Sequence, residues 1–198
     1  IRLLSGRIGF SINPCSEWRP ICDKMERNLL PWRQYNLSLK GKCLIAQSMA
    51  ASVLRFVMMT LPCPTPVVSR LQSIISRFIW SNKKDWVDRK TLSLPPSKGG
   101  RGAPLVSDIK QASTLYWIKR LANADIPHWK AFLNHCIRDS LNQDDCAWWI
   151  LRNSPMRIPR SLPAFWKQVL GIWKTFEGGA ALPEDVSRDD ILAEPLWF

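Results

Sequence analysis

Lys83 and Lys84 stand just ahead of Trp86 in the stretch Ser81–Lys90. Ammonium groups interleaved with an indole can grip phosphates and stack on bases. Lys40 and Lys42 open the long apolar stretch before them, Arg55 lies inside it, and Lys98 and Arg101 belong to the glycine-rich turn Pro95–Gly102. These seven residues are the candidate phosphate contacts. Contacts of this kind position a nucleic acid without reading its sequence, so only a weak sequence preference is expected.

Catalytic chemistry has no comparable signal. There are no paired carboxylates in a plausible pocket and no Ser–His–Asp arrangement. His128 and His135 lie seven apart within an ordinary amphipathic pattern, with Cys136 and Cys146 after them. None of the six cysteines forms C-x-x-C, so no metal site is expected. Cys43 and Cys63 sit in apolar surroundings and read as reduced core residues. Pro95–Gly102 lacks the Gly-x4-Gly-Lys-Ser/Thr spacing of a phosphate-binding loop; its glycines read as turn residues with positive φ. Neither catalytic residues nor a cofactor are expected in this chain.

The chain has 198 residues, 46% of them hydrophobic and 22% charged, enough to fold around one core or two small ones. Its net charge of +12 points to a polyanionic partner. Residues 1–102 hold 17 Lys or Arg against 5 Asp or Glu, whereas residues 103–198 hold 11 of each. The whole excess thus lies in the first half. Cys43–Leu61 is long and apolar, but Arg55 near its middle costs about 2.5–3.5 kcal/mol in a bilayer, so a buried helix is expected and no membrane association. No secretion signal is visible, and the expected location is intracellular, cytoplasmic or nuclear. A chain running from Ile1 to Phe198 with neither an initiator methionine nor a closing tail is expected to be a fragment of a longer product.

The elements that must carry these residues are mostly helical. Ile1–Pro14 alternates weakly and suggests a strand whose partners lie upstream. Trp18, Ile21, Met25, Leu29 and Trp32 repeat at helical spacing over Ser16–Tyr35, with Pro31 kinking or ending the helix. Ser38 is a natural N-cap for a helix whose face is Ala46, Ala50, Val53, Val57 and Leu61. Pro62, Pro64 and Pro66 break it, and Val67, Leu71, Ile74 and Phe78 form the stripe of the next. Two such helices on a short elbow are expected to run antiparallel. Thr91–Leu94 reads as a short strand. Ser107 caps a helix bearing Ala112, Leu115, Ile118 and Leu121. A helix from Pro127 carries Trp129, Phe132, Leu133 and Cys136, and a last one carries Phe165, Trp166, Val169, Leu170 and Trp173. Most of the eleven tryptophans fall on helical faces and read as core.

From Leu37 onward the order of motifs resembles a known family. LSLKGK, an apolar helix, a proline turn, a helix ending in FIW, a basic loop and LPPSKGGRGAPLVSDIKQASTLYWIKRL are similar to the region after the palm in LINE-type (non-LTR) retrotransposon reverse transcriptases. FWKQVLGIWKTF and the closing EPLWF resemble the tail of the same region, so the resemblance covers about Ser16 to Phe198. It implies a polymerase thumb and following helices, packed on a template–primer duplex. Lys40 and Lys42 match the basic positions of the family's LSLxG(R/K) motif. The parent would be an RNA-directed DNA polymerase, with two magnesium ions held by palm aspartates of an aromatic-x-Asp-Asp hairpin. This chain lacks that hairpin: Asn142-Gln143-Asp144-Asp145 has Asn in the aromatic place and lies on the wrong side of the thumb-like motifs, and Ser187-Arg188-Asp189-Asp190 fails likewise. Both read as exposed acidic turns, and this chain alone is not expected to be an enzyme.

The expected fold is therefore mainly α: a helical bundle, thumb-like by the resemblance, then further helices, with a short Gly-rich loop or β-hairpin near 91–106. The expected domains are a remnant of an upstream domain over 1–15, a basic thumb-like subdomain over 16–102 and a neutral Trp-rich subdomain over 103–198. Expected partners are an RNA–DNA hybrid or duplex and the upstream palm and fingers. The alternative is a decayed or domesticated helical protein-interaction module without nucleic-acid activity, which would expose apolar surface where the palm should pack.

Overall fold

Trp18, Ile21, Cys22, Met25 and Leu29 lie on one side of helix α1 (Pro14–Leu29), and all five are buried. The stripe read from the sequence is buried from Trp18 to Leu29, Cys22 joins it, and Trp32, its last member, is half-buried beyond the helix. It belongs to a computed structural model that describes residues 2–3, 6–7, 14–122, 128–141 and 162–175. Past Leu29 the chain tightens into a 3-10 turn, Leu30–Gln34, with Pro31 at its start. Proline suits the first turn of a helix, where its missing N–H costs nothing.

The next helix has three parts: α2 (Leu39–Ile45), a π-helical stretch Ala46–Ala51, and α3 (Ser52–Met58). Ser38 caps it as expected, its hydroxyl accepting from the Gly41 amide at 3.2 Å. A π turn holds one more residue than an α turn. The buried face shifts accordingly: Ala46, Ala50 and Val57 are buried as the spacing predicts, but Ala51, Leu54 and Met58 join them and Val53 is only half-buried. Ser48 and Ser52 donate to the carbonyls of Ile45 (3.2 Å) and Ser48 (2.6 Å), giving backbone oxygens of this stretch a second donor.

Helix α4 (Thr65–Ile79) buries Val67, Leu71, Ile74, Ile75, Phe78 and Ile79. Its polarity follows from three contacts. Lys42, at the start of the preceding helix, reaches Ser81, just past the end of α4. Those two helices therefore run antiparallel, as the proline elbow predicts. Trp18 Nε1 donates to the Pro62 carbonyl at 2.9 Å, and Glu26 pairs with Arg77 at 2.9 Å, so α1 runs parallel to α4. The result is a three-helix bundle around one apolar core. Cys22, Cys43 and Cys63 are buried in it. Burial pushes all three thiols up, Cys63 to about 12 against the pull of Lys110, so they stay protonated at neutral pH.

Thr91–Leu94 does not form a strand. Helix α5 (Arg89–Ser93) occupies the place, because Asp88 caps it through the amides of Lys90 (2.9 Å) and Thr91 (3.3 Å). A further 3-10 turn, Pro96–Lys98, leads into a glycine-rich loop rather than a hairpin. Gly99 and Gly102 take positive φ there, and a side chain at Gly100 would collide with the Leu94 backbone. At the other end, β1 (Arg2–Leu3) pairs antiparallel with β2 (Gly6–Arg7). The alternating residues Leu4, Ile8, Phe10 and Ile12 lie outside the described residues.

Two compact units are distinguished, 1–110 and 111–198. The first carries 18 Lys or Arg against 6 Asp or Glu, the second 10 of each. Helix α6 (Val106–Ala122) spans the division. Ser107 is not its cap: the free Val106 amide is taken by Gln72 Oε1 at 2.8 Å, and Ser107 donates to Asp108 instead. Its buried positions include Ser113, Thr114, Ile118 and Leu121, while Ala112 and Leu115 are half-buried.

The described part of the second unit adds α7 (His128–Leu141) and α8 (Ala164–Thr175). Leu133, Ile137, Trp166, Val169 and Leu170 join Ile118 and Leu121 in its core. Phe132, expected on the buried stripe, is exposed, because Ile137 completes the Leu133 face in its place. Trp129 stacks on Trp166 at 5.5 Å, and Trp117 meets Trp129, Phe165 and Trp166 edge-on at 5.3–5.6 Å. The Arg120 guanidinium caps Trp117 at 4.8 Å. The two acidic turns, Cys146 and the Trp148-Trp149-Ile150 segment, and the closing EPLWF lie outside the described residues.

Candidate nucleic-acid interface

The geometry is set by how α4 ends. The Asn82 amide reaches back to the Arg77 carbonyl at 2.9 Å and the Ser81 amide to Phe78 at 3.4 Å. This paired closure normally uses glycine at its first left-handed position. Here Ser81 (φ 52°) and Asn82 (φ 63°) occupy the left-handed region, the only non-glycine residues to do so among those described. Asn tolerates that conformation through its short polar side chain; serine has less reason to adopt it. What serine adds is its hydroxyl, which accepts from Lys42 Nζ at 2.7 Å.

Lys42 and Ser81 therefore form a saddle between two concavities. One, of about 270 Å³, has Leu39, Ile79 and Trp80 beneath Lys42, Lys83 and Trp86. The other, of about 380 Å³, lies between Lys42 and the end of the 3-10 turn, where Arg33 and, just past it, Tyr35 line it. Both rims bear aromatic rings open to solvent: Trp86 is 78% exposed and Tyr35 is 55% exposed. Arg33 and Tyr35 were not singled out from the sequence, although Trp32-Arg33-Gln34-Tyr35 has the same basic–aromatic interleaving as the Lys83–Trp86 loop. Their signal was absorbed by the helical stripe that ends at Trp32.

The seven candidate cations are distributed unevenly around this saddle. Lys42 and Lys83 line one concavity together. Lys84 is exposed beside Lys83, and Lys40 is exposed on the first turn of α2. The glycine-rich loop brings Arg101 within electrostatic reach of Cys43, next to Lys42, where it opposes the upward push of burial on the thiol. Lys98 is exposed on the 3-10 turn before that loop. Arg55 stands apart: it is thirteen residues along the helix from Lys42, a separation of about 20 Å.

Among the described residues none of the seven has a carboxylate partner. Neighbouring arginines do: Arg77 pairs with Glu26 at 2.9 Å and Arg89 with Asp85 at 2.7 Å. Positive charge around the saddle is thus uncompensated, which raises the local concentration of anions. Among the described residues no group of three or more His, Cys, Asp or Glu gathers that could hold a metal, and no helix is long and apolar enough to cross a membrane.

No family model matches the chain, and no solved structure matches it. It is 26% identical over 167 residues to the Transposon TX1 uncharacterized 149 kDa protein of Xenopus laevis, an alignment covering 81% of this chain and 13% of that protein. The chain thus spans about an eighth of the relative it matches. The chain is mainly helical, and its likeness to a transposon protein supports a transposon-derived origin.

Proposed function

We propose that the chain is a nucleic-acid-binding fragment of a retrotransposon RNA-directed DNA polymerase, its thumb-like region, which holds the template–primer duplex by the phosphate backbone. The observation that carries the reading is the set of cations around Lys42 and Ser81 that have no carboxylate partner among the described residues. The ordered motifs from Leu37 to Phe198 and the likeness to a transposon protein agree with it. The seven cations position the duplex, while nucleotide chemistry and its magnesium ions belong to palm and fingers upstream in the parent protein. On its own the chain binds without catalysing, and it works inside the cell, in cytoplasm or nucleus.

The test is binding of an RNA–DNA hybrid to the 198-residue chain across a salt series. Affinity should fall steeply as salt rises, because each neutralised phosphate releases counterions and adds about 0.9 to the logarithmic slope. The combined Lys42→Gln, Lys83→Gln and Lys84→Gln variant should show a shallower slope. Salt-independent binding, or an unchanged slope in that variant, overturns the reading.

One observation favours the alternative of a helical interaction module. Leu44 and Phe56 stand on the same long helix as Lys42 and are 63% and 57% exposed. Apolar residues left in water on a helix invite a protein partner. Concentration-dependent self-association with no affinity for the hybrid would establish that module instead.

A further inference from the structure

The saddle has a feature that backbone binding to a duplex does not use. Trp86 is the most exposed large apolar side chain among the described residues, at 78%, and no described ring stacks on it. Yet it forms one wall of the concavity whose floor is Leu39, Ile79 and Trp80. Its loop is held rather than loose. Asp85 pairs with Arg89 at 2.7 Å, and Asp88 caps α5, so both carboxylates beside the ring are engaged. Ser81, the first of the left-handed pair, lines the same concavity.

We infer that this groove takes an unpaired nucleotide, its base against the Trp86 indole and its phosphate between Lys42 and Lys83. Inside a duplex the base faces are covered by their stacked neighbours, so away from its ends an indole can reach them only where the strand is single. The apolar floor suits a base, which is planar and weakly polar on its faces. Lys42 and Lys83 line the groove whereas Asp85 and Asp88 do not, which places the phosphate between the two ammonium groups and not over the loop. Across Lys42 the exposed ring of Tyr35 offers a second platform for the next base. Stacking is tolerant of sequence, since every base has a π face. The inference rests on the nucleic-acid reading above and narrows it: the preferred ligand is a junction, a hybrid that continues as a single strand.

The test compares a blunt RNA–DNA hybrid with the same hybrid carrying a short single-stranded extension, each measured against the 198-residue chain. The extension contains 2-aminopurine, whose fluorescence falls when it stacks on an indole. The wild type should bind the extended hybrid more tightly and quench the probe. Trp86→Ala should lose about tenfold on the extended hybrid, abolish the quenching and leave blunt-hybrid affinity and salt slope unchanged. Trp86→Phe should restore part of both signals, and Tyr35→Ala should lose less than Trp86→Ala. A Trp86→Ala variant that matches the wild type on both hybrids, or weakens both equally, overturns the inference while leaving backbone binding in place. A wild type that binds neither hybrid overturns the nucleic-acid reading itself and this inference with it.

Discussion

The two units use the same side chains in opposite ways. In the second, Trp117, Trp129, Phe165 and Trp166 contact one another, and the Arg120 guanidinium lies over their edge. Rings and cation satisfy each other there. In the first, Trp86 and Tyr35 are left largely in water, and the lysines near them have no carboxylate partner among the described residues. An aromatic ring buried against others contributes to stability, whereas the same ring held at the surface contributes almost nothing to it and is available for a ligand. Composition alone does not separate the two uses; the neighbours of each ring do.

The sharpest way to break this contrast is to remove one ring from each side. Trp117→Ala should cost the second unit about 3 kcal/mol, since it deletes the ring that meets three others. Hydrogen exchange read by peptide should then show lost protection in α7 and α8 while α1 and α4 hold theirs. Equal loss in α4 would mean that the chain unfolds as one cooperative body. Trp86→Ala, by the same measurement, should leave both units within about 0.5 kcal/mol of the wild type.

A smaller and more local difference concerns the core of the first unit. The Cys63 thiol is pushed up to about 12 by burial, against 9.0 in an unfolded chain. The unfolded state therefore loses its proton first. The contribution of this thiol to stability is complete below pH 9.0 and disappears as pH rises through about 12. Exchange protection in α1 and α4 should weaken over that window, and Cys63→Ala should weaken less steeply. Parallel curves for the two proteins would show that the thiol is not insulated from water.

The finest test concerns the saddle. Ser81→Gly relieves the left-handed backbone, while Ser81→Ala keeps the conformation and loses the hydroxyl; neither retains the bond from Lys42. The glycine variant should be more stable than the alanine variant by about 1 kcal/mol in thermal unfolding. Equal stabilities would mean that the turn is not strained.

Much of this architecture could be read from residue spacing. Val67, Leu71, Ile74 and Phe78 are buried as their period predicts, and Ser38 caps its helix. Lys42, Lys83 and Trp86 could be singled out by type alone. What could not be read is whatever depends on a departure from regular geometry. The π turn at Ala46–Ala51 breaks the 3.6 period inside a run of small residues that signals nothing by itself, so the period points to Val53 where the core holds Leu54. Asp88 turned a four-residue alternation into a helix because its carboxylate meets two amides. The left-handed pair at Ser81–Asn82 has no glycine to announce it. Arg55 was grouped with the others by charge, and charge carries no information about distance.

The π turn links the core to the saddle by an angle. Each residue of an α-helix advances about 100° around its axis. The π turn takes up one extra residue without that advance, so winding the same residues as a regular α-helix would turn one end against the other by about that amount. With Leu54 seated in the core, Lys42 would then swing away from Ser81, and the two concavities would lose the side chain they share. The irregular turn thus acts as a rotational offset, letting a single helix face inward along most of its length and still present one lysine to the end of its neighbour.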